Sequence, residues 1–146
     1  MTKKDDFLAE TILDIIRASN ILERIGGDYA QIANLDSVQQ YMILALLSKE
    51  DHLTMSDLRE NTLVTKQAVT GIVNRLHKNG YIKKYKDQYD RRITRVCLTT
   101  KGREALTTIR SRRIEGNREV FSVLTGKEIN QLSTIISKLV HHINKP

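Results

Sequence analysis

The sequence predicts a mainly α-helical chain with one small β-hairpin set into its middle. Three observations carry this. The only proline among 146 residues is Pro146, at the very end, so no proline breaks a helix from within. Apolar residues recur at helical spacing over most of the length. One segment, Tyr81 to Gly102 (YIKKYKDQYDRRITRVCLTTKG), instead runs from a basic stretch through a polar break at Asp87-Gln88-Tyr89-Asp90 and Arg91-Arg92 into an alternating stretch, the pattern of a two-stranded hairpin.

The first helix is expected from about Asp5 to Ile25, where Leu8, Ile12, Ile15, Ile16, Leu22 and Ile25 follow an i, i+3/i+4, i+7 pattern and Gly26-Gly27 provides a stop. Asp36 is the expected N-cap of a second, strongly apolar helix over Val38–Leu47, with Gln39 as its capping-box partner. Leu53 adds a short strand, and Thr54 caps a third helix with Asp57 at its third position. Asn61-Thr62-Leu63-Val64 reads as a tight turn. Thr65 then caps a helix that runs to Asn79 and stops at Gly80. Strands follow near Tyr81–Lys86 and Ile93–Leu98. A long helix starts at Thr100 and reaches about Leu124, with Gly116 as a weak point costing about 1 kcal/mol against alanine. Thr125 and Glu128 form a T-x-x-E capping box for the last helix, whose apolar positions are Ile129, Leu132, Ile135, Ile136, Leu139, Val140 and Ile143.

Charge is unevenly spread. Thr65 to Arg113 holds 14 Lys or Arg against 3 acids, a net +11, while the remaining 10 basic and 14 acidic residues give −4. Positive charge gathered into one third of a chain points to a polyanion partner, because neutralising phosphates releases counterions. No run of about 18 apolar residues exists, the N-terminus lacks the apolar stretch of a signal peptide, and a single cysteine, Cys97, forms no internal disulfide. The expected location is the cytoplasm.

Two helices joined by a short turn over Thr54–Gly80 make a helix-turn-helix. In the second, Val69, Ile72, Val73 and Leu76 share one stripe and pack inward. The opposite face carries Gln67, Gly71, Asn74 and Lys78, flanked by Thr70 and Arg75. Those side chains suit a major groove: Asn and Gln pair with adenine, Arg with guanine, and a threonine methyl meets thymine. Gly71 leaves room for the backbone to approach DNA, and the first turn, Thr65, Lys66 and Gln67, offers free N–H groups to a phosphate. A hairpin directly after such a unit is a wing. Arg91 and Arg95, with Lys83, Lys84 and Lys86, are placed for phosphates rather than bases.

These residues resemble the MarR family of winged-helix transcription regulators. The matching positions are Val69-Thr70 and Leu76, Gly80-Tyr81-Ile82, Asp90-Arg91-Arg92 at the wing tip, and Leu98-Thr99 with Gly102 at its exit. The resemblance implies one domain over 1–146: a winged helix-turn-helix core, 36–99, flanked by dimerisation helices at 1–35 and 100–146. It implies that Arg92 enters the minor groove and that Asp90 holds it by an ion pair. It implies a homodimer on double-stranded, palindromic DNA, with Leu8, Ile12, Ile15, Ile16, Ile135, Leu139 and Ile143 at the interface. It also implies a repressor that responds to a small anionic, often aromatic effector, for which Phe7, Arg17, Tyr29 and Tyr41 are candidate lining residues.

Other classes fit less well. No nucleophile–base pair, phosphate-binding glycine loop or paired-carboxylate motif stands out, so no enzyme and no cofactor is expected. His52, His77, His141 and His142 have no metal-ligand spacing. Cys97, near Arg95 on a strand, supports an alternative as a thiol redox sensor. A protein-binding adaptor is the other alternative, although such a domain would be expected to lose the wing arginines that this one keeps.

Overall fold

The computed structural model describes residues 1–62 and 64–144. Six helices and three strands follow in the order α1 (Lys3–Ile32), α2 (Val38–Lys49), β1 (Leu53–Thr54), α3 (Met55–Thr62), α4 (Lys66–Lys78), β2 (Ile82–Lys86), β3 (Thr94–Leu98), α5 (Thr100–Phe121) and α6 (Gly126–Ile143). The strands form one antiparallel sheet in the order β1-β3-β2, with Leu53 opposite Val96 and Ile82 opposite Leu98.

Local chemistry explains most boundaries. Thr54 and Asp57 form a reciprocal box at the start of α3, with bonds of 2.9 and 3.0 Å. Thr125 and Glu128 do the same for α6, at 2.7 and 3.2 Å. Helix α4 ends in a Schellman motif: Gly80 has φ +81°, its N–H bonds the His77 carbonyl, and the Tyr81 N–H reaches Leu76 O at 3.0 Å. The L-T-x-x-G series also has a physical basis. The Thr99 hydroxyl caps α5 by accepting from Gly102 N at 3.1 Å and donates to Gly80 O at 2.6 Å. A Cβ on Gly102 would collide with the Tyr81 backbone carbonyl.

Several boundaries differ from the sequence expectation. Helix α1 runs straight through Gly26-Gly27 and stops only after Ile32. Its stop is another Schellman motif, built on Asn34 at φ +57°, with Leu35 N bonding Ala30 O at 2.9 Å. Gly26 is an approach position, since a Cβ there would strike the Val38 side chain of α2. The cap of α2 is Ser37, one residue later than expected, accepting from Gln40 N at 3.2 Å. Asp36 is bound instead by the buried Gln40 side chain, which accepts from Asp36 N and donates to its carboxylate. Helix α3 continues through Asn61 and Thr62, and Leu63 of the expected turn lies outside the described residues. Helix α5 ends at Phe121, earlier than the expected Leu124. Gly116 leaves space for the Tyr29 ring of α1, whose hydroxyl an added Cβ would overlap.

The core lies where α2, α4, the sheet and the first half of α5 meet: Ile43, Leu44, Leu47, Leu58, Val69, Val73, Leu76, Ile82, Val96 and Ile109 are almost fully buried. The ends of the chain are different. Every residue of α1 from Lys3 to Arg24 is exposed, and no residue of α6 is buried.

Gly102→Ala separates packing from propensity. Helix propensity alone favours alanine by about 1 kcal/mol. Here the new Cβ meets a backbone carbonyl that cannot swing aside. The expected result is a net loss of about 1–3 kcal/mol in urea denaturation; a gain would show that the α5 start shifts freely.

Candidate nucleic-acid interface

The amphipathic pattern of α4 places its two faces as expected. Val69, Ile72, Val73 and Leu76 are buried, while Lys66, Gln67, Thr70, Asn74, Arg75 and Lys78 are exposed. Thr65 is the N-cap and accepts from Ala68 N at 3.2 Å, which leaves earlier N–H groups of the first turn pointing outward. The Thr70 hydroxyl donates back to Lys66 O at 2.9 Å, so this side chain offers a partner its methyl group and a lone pair. Gly71 is half-exposed, and a Cβ there would meet no atom within 4 Å.

That empty space at Gly71 gives a prediction of opposed signs. Gly71→Ala should raise stability by about 1 kcal/mol through helix propensity, while weakening nucleic-acid binding if a backbone or base edge must approach there. Urea denaturation and a binding titration on one preparation read both. A stabilised variant with undiminished binding would remove Gly71 from the interface.

The wing is more highly organised than the sequence suggested. Asp87, only 7% exposed, is its hub. Its carboxylate accepts from the N–H groups of Tyr89 and Asp90, both at 3.0 Å, and from Arg95 Nε. The Arg95 bond, followed by the two backbone N–H groups, holds the Asp87 carboxyl below the ordinary carboxylate range. Arg95 also donates to the His52 carbonyl at 2.9 Å. Its guanidinium therefore braces the base of the wing through Nε and Nη1, while 35% of the side chain stays exposed. Asp87 was not singled out in the sequence; its signal was a carboxylate at the first position of a turn with open N–H groups two and three residues on.

At the tip, Asp90 accepts from Arg92 N, Nε and Nη2, each at 3.0 Å. The Arg92 hydrogen bonds lower the Asp90 pKa. The Arg92 side chain nevertheless remains 90% exposed, so it is aimed but not hidden. Arg91, Lys83 and Lys86 are exposed as expected, Lys86 bonding Thr94 Oγ1 at 3.1 Å. Because both wing aspartates have lowered pKa values, the order they impose is complete above the ordinary carboxylate range and is lost as pH falls below about 4 through the lowered values. Amide shifts of Tyr89 and Arg92 followed from pH 7 to 2 should move together there; a transition near pH 6 would contradict this.

Helix α4 and the wing converge. A cleft of about 570 Å³ between them is lined by Lys66, Thr70, Asn74, Lys84 and Arg92, with Arg59 of α3 at its side. Arg59 was missed in the sequence because nothing local marks it. Lys84 of β2 donates to Asn74 Oδ1 of α4 at 2.7 Å and so ties strand to helix.

The remaining candidates lie elsewhere. Tyr29 is buried against Gly116, Tyr41 is half-buried and accepts from Arg113 at 3.4 Å, Arg17 pairs with Asp14, and Phe7 stands exposed on α1. None of the four lines the cleft between α4 and the wing. Cys97 is half-buried on the sheet face opposite Val96 and Leu98.

Comparison with known proteins gives one consistent result. Residues 37–93, from the α2 cap to the wing, match the profile of the MarR family. The HTH-type transcriptional regulator PapX of Escherichia coli is 31% identical over 106 residues, covering 71% of this chain and 65% of PapX, just under two thirds of its length. An uncharacterised HTH-type regulator of Bacillus subtilis, YsmB, is 26% identical, covering 73% of each chain. Among solved structures, the MarR family regulator Sco3205 from Streptomyces coelicolor, in complex with DNA, superposes with a TM-score of 0.85 at 22% identity, over 99% of this chain and 91% of that one. NadR, in complex with 4-hydroxyphenylacetate, gives 0.77 at 25% identity, over 88% and 90%. With its helix-turn-helix, its three-stranded wing and these matches, the chain has the winged-helix fold of the MarR family and matches that family over residues 37–93.

Proposed function

We propose that this protein is a transcription regulator that binds double-stranded DNA in a sequence-specific way. The observation that carries the reading is the convergence of two devices on one cationic cleft: the polar face of α4 and the clamped Arg92. Helix α4 enters the major groove, Arg92 the adjacent minor groove, and Lys66, Lys83, Lys86 and Arg91 hold phosphates. Residues 1–146 act as a single domain in the cytoplasm; among the described residues no helix is long and apolar enough to cross a membrane.

The working form is a homodimer, joined through Leu8, Ile12, Ile15 and Ile16 of α1 and Ile135, Leu139 and Ile143 of α6, all between 38% and 75% exposed in the single chain. Two recognition helices then sit about one turn of DNA apart, roughly 34 Å, and read a palindrome. The protein represses its target until a small anionic or aromatic effector binds between the dimerisation helices and the winged core. Support for the effector comes from NadR with its bound 4-hydroxyphenylacetate and, in this chain, from the Tyr41–Arg113 contact between α2 and α5.

Selection of bound sequences from random DNA tests the reading. A palindromic consensus, shifted by the protein in a salt-dependent gel assay, is the expected result; no enrichment at any salt concentration would overturn it.

A further inference from the structure

The proposed reading of DNA leaves open which base each side chain selects, and one contact bears on that. Asparagine recognises adenine with both ends of its amide: Oδ1 accepts from N6 while Nδ2 donates to N7. Here Asn74 Oδ1 already accepts from Lys84 Nζ at 2.7 Å. The lysine sits on the next element of the chain, β2, and both side chains line the same cleft as Arg92.

We propose that Lys84 is a specificity-determining residue that turns Asn74 from an adenine reader into a guanine reader. This rests on the DNA-binding function proposed above. Lys84 takes one lone pair of Oδ1 and sets a cation beside the other, which leaves Nδ2 as the group Asn74 offers without competition. Beside it stands the ammonium of Lys84, which has three N–H donors and spends one on the amide. The pair therefore shows DNA two adjacent donors. Guanine offers two adjacent acceptors in the major groove, N7 and O6, and matches them. Adenine offers N7 and then the N6 amino group, which would face the ammonium donor to donor. Such a mismatch, with a like-polarity group desolvated against it, is what rejects a base.

The contact also fixes the direction of Asn74. An exposed asparagine is free to turn its amide over, and both orientations fit solvent equally. A cation at one end removes that freedom, since only the oxygen accepts from Lys84. The recognition helix and the wing are thereby read as one unit. Lys84 differs in this from a lysine that holds only phosphate, whose loss weakens every sequence alike.

The test is selection from random DNA with four proteins: wild type, Asn74→Ala, Lys84→Met and Lys84→Arg. Asn74→Ala identifies the base pair concerned as the one whose preference disappears. In wild type that position should be guanine, favoured over adenine by about tenfold. Lys84→Met keeps the length of the side chain and removes its donors; the same position should then move to adenine. Lys84→Arg retains donors and should keep guanine. Adenine at that position in wild type would overturn the proposal. So would guanine persisting unchanged in Lys84→Met with an equal loss on all sequences, which is the signature of a phosphate contact alone. If wild type enriches no sequence, the DNA-binding function itself fails, and this inference with it. A wild-type consensus with an unmoved Asn74 position overturns the inference alone.

Discussion

Arg92→Ala is expected to weaken binding to the selected DNA by tenfold or more and to leave the oligomeric state unchanged. The argument starts from the tip of the wing. A narrow minor groove concentrates negative potential and draws in a guanidinium. A flexible arginine entering it would lose rotamer freedom, a cost of about 0.5–1.5 kcal/mol for an ordered side chain. Asp90 reduces that cost beforehand, because two parallel bonds of 3.0 Å already fix the direction of Arg92 while 90% of the side chain stays accessible. Asp90→Asn should therefore cost less than Arg92→Ala, since it loosens the aim and leaves the cation. Arg92→Lys should not restore wild-type affinity, because an ammonium cannot be gripped in the same two-pronged way. Fluorescence anisotropy at one fixed salt concentration measures all three. Unchanged affinity in Arg92→Ala would remove the wing from the interface.

What the sequence made legible follows the reach of each interaction. Capping boxes such as Thr125–Glu128 close within three residues, so two letters specify them. The burial stripe of α4 depends only on helical periodicity, and all four of its apolar residues lie where that periodicity puts them. The Asp90–Arg92 clamp spans two residues and was implied by a motif. Apart from the shifted α2 cap and the Asp87 turn, the errors came from interactions that close far along the chain. Gly26 is explained by Val38, and Gly116 by Tyr29, 87 residues away; local propensity gave each glycine the opposite meaning. Arg95 looked like one more wing cation until the fold brought it to the His52 carbonyl, 43 residues distant. The Asn74–Lys84 bond joins different elements and has no local signature. Chemistry within a turn is visible in the sequence, whereas chemistry between elements requires the packing.

The second large effect concerns the terminal helices. Ile135→Glu is expected to convert the proposed dimer to monomer and to weaken binding to a palindrome by about a hundredfold or more, since two linked half-site contacts become one. The structure makes α6 a severe test. Its 18 residues include none that is buried. An isolated helix of that length is marginal in water, even with a good capping box. Something must cover Leu132, Ile135, Ile136, Leu139, Val140 and Ile143, which are 39% to 75% exposed along one side. Helix α1 has the same need, with Leu8, Ile12, Ile15 and Ile16 uncovered over its first half. In the proposed homodimer a second copy meets both needs by one two-fold contact, in which the same stripes face each other. A buried glutamate at position 135 would lose its water without gaining a partner. Helix content should then fall along with dimerisation, because α6 has no other support. Sedimentation and circular dichroism on the same samples distinguish the cases. Wild type sedimenting as a monomer at micromolar concentration, with α6 still helical, would show that these faces need no second copy and would leave each recognition helix to read DNA alone.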